Sequence, residues 1–95
     1  MPTIERTYED IRAFARARGV GRVVLFGSRA RGDNAPKSDL DIAFSGGDAA
    51  GFEEDLQERL WSLLEVDVIN LDEPISDELR SEIARDGKVL YEAIR

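Results

Sequence analysis

Asp39-Leu40-Asp41 places two carboxylates two residues apart in a stretch that reads as extended chain. Side chains on a strand alternate between faces, so Asp39 and Asp41 point one way while Leu40 and Ile42 point the other. A third acid, Asp67, lies in residues 65–69 (EVDVI), flanked by Val66 and Val68, which should face a core. If that segment pairs beside residues 40–44 (LDIAF), Asp67 joins the first two acids on one face. Three carboxylates gathered there repel one another, and loss of solvent raises the cost further. A divalent cation removes the conflict. Magnesium takes one or two protein carboxylates plus substrate phosphate oxygens at about 2.0–2.1 Å. Two such ions, roughly 3.5–4 Å apart, can hold the attacking and leaving oxygens of a phosphoryl displacement. The same acids would also be at home as solvated side chains on an exposed strand face, because D-x-D arises often by chance.

Gly27-Ser28 supplies a second chemical feature. A glycine directly after a buried strand lets the backbone turn sharply and approach a ligand closely. Ser28 then offers a backbone N–H and a hydroxyl, both donors to phosphate, at the start of a short helix. An ordinary strand-to-helix turn with a serine N-cap has the same signature. The pair is not a Walker loop, because the lysine and the glycine spacing of that motif are missing. Arg29, Arg31 and Lys37 can neutralise triphosphate charge, or can be solvated loop residues. Asp33 reads as a turn residue.

Composition narrows the chemistry. The chain has no histidine and no cysteine, so the commonest general base, the commonest zinc ligand and all thiolate chemistry are excluded. Any metal must be held by oxygen, which favours magnesium, manganese or calcium. Acids outnumber bases 20 to 13, for a formal net charge of -7, so no general basic surface is available for direct nucleic-acid binding. No signal peptide, lipidation motif or long apolar run is present, and the expectation is a cytoplasmic protein without a membrane partner. Ninety-five residues suggest a single domain, residues 1–95, with limited stability margin.

The elements that must position these residues follow from periodicity and caps. Thr7 with Asp10 resembles a capping box that opens a helix over residues 8–18, ended by Gly19, with Tyr8, Ile11, Phe14 and Ala15 on its inward side. Arg22–Phe26 (RVVLF) reads as a strand covered on both faces. Residues 40–44 form a second strand closed by Ser45-Gly46-Gly47, and residues 50–64 a helix with Phe52, Leu56, Leu60 and Leu63 on one stripe. Trp61 falls well off that stripe, which suggests an exposed contact residue or one packed under the first helix. Residues 65–69 are a third strand. Ser76 caps a helix with Asp77 and Glu78 in its first turn, Gly87 stops it, and residues 88–91 make a last strand. The fold class is therefore α/β (α+β), a small mixed β-sheet with helices packed on it.

Gly27-Ser28, ten residues, then Asp39-Leu40-Asp41 resembles the motif of the DNA polymerase beta nucleotidyltransferase superfamily. The fuller string FGSRARG…SDLDI, with the third acid in VDVI and the closing IARDGKVLY, resembles its smallest branch, the MNT (MntA-like) antitoxin domains, over nearly the whole chain. No catalytic position departs from the pattern. The resemblance implies a polymerase beta-like fold, with Asp39 and Asp41 binding magnesium, Asp67 as third carboxylate, and Gly27 and Ser28, flanked by Arg29 and Arg31, binding the nucleotide. It further implies two Mg2+ ions, ATP as substrate, and an antitoxin that transfers AMP onto a tyrosine of a HEPN-type toxin. The absence of room for an acceptor-binding domain favours a protein acceptor over a small molecule. Two alternatives remain: an antitoxin that masks its HEPN partner sterically, without catalysis, and a nucleotidyltransferase that acts on a small molecule.

Overall fold

The computed structural model describes residues 3–60 and 64–93. Eight elements alternate along the chain: α1 (Ile4–Ala17), β1 (Arg22–Phe26), α2 (Ser28–Arg31), β2 (Leu40–Ser45), α3 (Ala49–Glu58), β3 (Val66–Asn70), α4 (Asp77–Asp86) and β4 (Lys88–Glu92). The four strands form one mixed sheet in the order β3-β2-β1-β4. β1 runs antiparallel to both β2 and β4, whereas β2 and β3 are parallel and joined through α3. Among the described residues no helix is long and apolar enough to cross a membrane.

Strand alternation divides the apolar residues between two faces. Val23 and Leu25 of β1, with Leu40, Ile42 and Phe44 of β2, face α1 and α3, where they bury Ile11, Ala15, Phe52 and Leu56. Val24, Phe26 and Ala43 point to the opposite face, which Ile83 of α4 covers with help from Leu71, Ile75 and Leu79. β1 is therefore apolar on both sides, as its unbroken Val-Val-Leu-Phe run requires. Phe44 and Phe52 meet edge to face at 5.0 Å, tying β2 to α3.

The helix starts and stops differ from the sequence expectation in two places. α1 begins four residues earlier than residue 8, because Thr3 is the N-cap and accepts from the Arg6 N–H at 3.2 Å. Thr7 is buried inside the helix, where its hydroxyl donates to the Thr3 carbonyl at 3.2 Å instead of capping. α3 ends at Glu58, with Arg59 as C-cap, so it is shorter than the 50–64 expected. The expectations for Trp61 and Leu63 fall outside the described residues. α4 is as anticipated, with the Ser76 hydroxyl accepting from the Leu79 N–H and Gly87 at its end.

An ion pair between a partly exposed arginine and a buried carboxylate fixes α3 against the end of α1. Asp55 is 3 % exposed and accepts from Arg18 through both oxygens, Nε to Oδ2 at 2.9 Å and Nη2 to Oδ1 at 3.2 Å. The same guanidinium reaches Asp48, the N-cap of α3, at 3.2 Å. A bidentate fork of this kind fixes orientation as well as distance. The chain entering α3 passes close enough to the α1–β1 connection to demand glycine at position 47. Gly47 has φ +74°, and a Cβ there would lie 2.6 Å from Arg18 O, Gly19 C and Val20 N. Gly19 has a similar φ of +70° but open space around it.

Gly19→Ala should therefore cost only the left-handed backbone penalty, about 1–2 kcal/mol. Gly47→Ala adds a collision with backbone that cannot rotate away, and should melt several degrees below Gly19→Ala. Thermal unfolding of the two variants side by side measures this, and equal melting temperatures would contradict the close approach.

Candidate functional site

The site is built where β1 stops. Phe26 pairs with Asp41 across the antiparallel ladder, and the chain turns at the next residue. Gly27 is buried with φ 76° and ψ −157°, a conformation that side-chain-bearing residues avoid. A Cβ at this position would land on Asp41 Oδ2, so glycine is required by the close approach of the carboxylate as well as by backbone geometry. The Gly27 carbonyl accepts from the Ala30 and Arg31 N–H groups, each at 3.1 Å, and starts the single turn of α2. Ala30 is buried against the main core and pins this turn to the sheet. Ser28 opens the turn half-buried, at the end where backbone N–H groups have no preceding helical acceptor.

The parallel pairing of β2 with β3 brings the acids together. Asp41 and Asp67 are direct partners in the register, on the sheet face that α4 covers. Asp39 precedes the first residue of β2 and is exposed, as is Asp67, whereas Asp41 is half-buried. Burial pushes the Asp41 carboxyl above the ordinary aspartate range, and repulsion from Asp67, Asp39 and Glu82 pushes it further. Glu82 belongs to α4 and nothing in its sequence spacing pointed to the site.

Whether these residues suit a divalent cation can be judged from their donor chemistry. Among the described residues no three acidic side chains converge as a ready-made metal cage. The neighbouring donors are nonetheless all carboxylate oxygens, the hard ligands that magnesium prefers. The charge repulsion at Asp41 is of the kind a cation relieves, and the Asp39 and Asp67 side chains are exposed. The donor set fits magnesium.

The arginines of the same segment are engaged within the protein. Arg29 donates from Nε to the Ser38 carbonyl and from Nη2 to the Pro36 carbonyl, both at 3.1 Å. Arg31 donates from Nε to Asp33 at 3.2 Å and from Nη1 to Asp86 at 3.0 Å, tying α2 to the end of α4. The Asp86 carboxylate is 8 % exposed and also accepts twice from Arg85, at 3.1 Å each. These bonds hold the Asp86 carboxyl below the usual range, the pairing with Arg85 foremost and that with Arg31 adding to it, while burial works against them. Asp33, expected as a turn residue, is also an ion-pair partner, and Lys37 is exposed. Asp86 was missed by sequence reasoning because its partner lies 55 residues away, a separation no local pattern encodes.

Residues 9–95 match the family model described as polymerase beta, nucleotidyltransferase. No curated protein matches the sequence. Among solved structures, a toxin–antitoxin crystal structure with AMP-PNP is 26 % identical with a TM-score of 0.72, over 90 % of this chain and 73 % of that one. A mutant form of the toxin–antitoxin MntA–HpeT is 24 % identical with a TM-score of 0.71, over the same shares, and is similar in fold. The match runs through the Gly27 turn, both acid-bearing strands and α4, so the site described above lies wholly inside the shared domain. The chain belongs to the polymerase beta nucleotidyltransferase family.

Proposed function

We propose that this nucleotidyltransferase moves AMP from ATP onto a tyrosine hydroxyl of a HEPN-type toxin and so acts as an antitoxin. The observation that carries the reading is the register pairing of Asp41 with Asp67 beside the Gly27 turn, with Asp39 two residues upstream of Asp41. The likeness to a toxin–antitoxin structure that holds AMP-PNP supports both the nucleotide and the kind of partner.

In this reading Gly27 and Ser28 bind the triphosphate through backbone N–H groups and the hydroxyl, and Arg29 and Arg31 make the turn electropositive. Asp39, Asp41 and Asp67 hold the Mg2+ ions. When bound, magnesium neutralises the phosphates and the carboxylate cluster and sets the alignment for displacement. The acceptor oxygen forms a bond to the α-phosphorus, the bond from that phosphorus to the bridging oxygen breaks, and pyrophosphate leaves. Asp67 takes the hydroxyl proton, in a chain with no histidine to compete for that role. The AMP adds negative charge to a toxin site that must otherwise accept RNA phosphates, which blocks it. The chain's own net charge of -7 suits approach to a basic partner.

Asp39→Ala and Asp41→Ala should each lower transfer by more than about a hundredfold, beyond the usual loss for a residue that only supports a metal ligand. Intact-mass spectrometry of the toxin, incubated with this protein, ATP and Mg2+, reads the transfer directly. An inhibited but unmodified toxin would instead indicate steric masking, and a modified small molecule would overturn the protein acceptor.

Without metal, Asp41 also predicts a stability effect of definite sign. Its folded-state value lies above the unfolded one, so the fold favours the protonated form. The penalty is absent below the unfolded value, about 3.9, and grows as pH rises through the folded value. Asp41→Asn should therefore be more stable than wild type at neutral pH, with the gap closing in acid. Urea unfolding of both proteins at pH 7 and pH 3 checks this, and a destabilised Asn variant at neutral pH would contradict the repulsion.

A further inference from the structure

Asp39 lies one residue before β2, so it lacks the ladder bonds that fix Asp41 and Asp67. Something else must hold it, since a metal-binding carboxylate on a loose loop loses the precise placement that catalysis needs. Its backbone is anchored on both flanks. On the C-terminal side the Leu40 N–H donates to the Glu65 carbonyl at 2.9 Å. On the N-terminal side the Ser38 carbonyl accepts from Arg29 Nε, and the Pro36 carbonyl accepts from Arg29 Nη2. The loop between these points is closed by its own bonds, Ala35 N–H to Ser38 Oγ at 2.9 Å and Ser38 N–H to the Ala35 carbonyl at 3.1 Å. Arg29 stands on α2, directly after Ser28, so one side chain connects the Gly27-Ser28 turn to the loop that delivers Asp39.

We infer that Arg29 is a positioning residue that fixes Asp39 relative to the Gly27-Ser28 turn, and that its contribution to transfer runs through this brace and not through direct contact with phosphate. The inference deepens the transfer reading proposed above and rests on it. Two carbonyls at a fixed angle call for the planar guanidinium fork, which presents Nε and Nη donors in one plane. A lysine keeps the charge and approximate length, but its donors all leave one nitrogen and cannot reproduce the two separate in-plane donors, Nε and Nη2, that Arg29 uses. A direct phosphate contact is different: there the charge matters most, and lysine is a good substitute.

The test uses the full chain with Arg29→Lys, Arg29→Met and Ser38→Ala, measured for kcat, KM for ATP and the Mg2+ half-saturation point. Arg29→Lys and Arg29→Met should lose kcat alike, by about tenfold or more, with KM for ATP little changed and more Mg2+ required. Ser38→Ala removes one of the loop's two internal bonds, that to Oγ, without touching Arg29. It should give a smaller loss of the same kind, and in the double variant the two effects should fall short of adding. A lysine variant near wild-type activity, with the Met variant raised mainly in KM for ATP, would assign Arg29 to the phosphates and overturn the brace. Hydrogen exchange of the segment 33–40 provides a readout independent of catalysis. Exchange should quicken in Arg29→Lys, and unchanged exchange overturns the inference even if wild type transfers no AMP. An inactive wild type with quickened exchange in the variant sinks the transfer reading and leaves the brace in place.

Discussion

The parallel register of β2 and β3 sets Asp41 beside Asp67, and most of what is specific to this molecule follows from that crowding of like charge. Two carboxylates on adjacent strands, with Asp39 just upstream and Glu82 across from α4, make an unfavourable field that rises as Asp41 is buried. The backbone makes it tighter, because Gly27 turns directly over Asp41 where no side chain would fit. A fold assembled only for stability would put apolar side chains at the inner position, as Ala43 does two residues further along the same face. Retaining the acid there has a cost to the fold.

Arginine side chains brace the elements packed around the sheet. Arg18 grips Asp55 and Asp48, Arg29 grips two loop carbonyls, and Arg31 grips Asp86 and Asp33. In each case a planar fork joins elements that the sheet alone does not connect: α1 to α3, α2 to the loop before β2, and α2 to α4. The acidic excess of the chain is thus partly structural, because several carboxylates serve as acceptors for these braces.

The strands and the acid pattern were legible in the sequence because short-range rules govern them. Arg22–Phe26 is apolar throughout since both its faces are covered, and Asp39, Asp41 and Asp67 alternate with residues that face the core. α4 was legible for a similar reason, with Ser76, Asp77, Glu78 and Gly87 each placed where a helix end wants them. The start of α1 was not, because Thr7 with Asp10 has the spacing of a capping box, yet Thr7 is buried within the helix and Thr3 is the cap. The extent of α3 was overread, since its apolar stripe continues in sequence past the point where the chain leaves the helix to reach β3. The roles of Arg29, Asp86 and Glu82 depend on partners in other elements, and charge at a loop position looks the same whether it meets phosphate, carbonyl or water.

The central claim is that the acids facing each other across β2 and β3 form one metal and nucleotide site. The most direct measurement is the melting temperature with Mg2+, with a nonhydrolysable ATP analogue, and with both together. Native-state binding at a hundredfold excess over Kd stabilises by about 2.7 kcal/mol, an effect readily seen in a chain of 95 residues. Mg2+ and nucleotide together should raise the melting temperature by more than the sum of their separate shifts, and Asp39→Asn should abolish most of that excess. An equal joint shift in the variant would show that metal and nucleotide bind elsewhere, and would contradict the account.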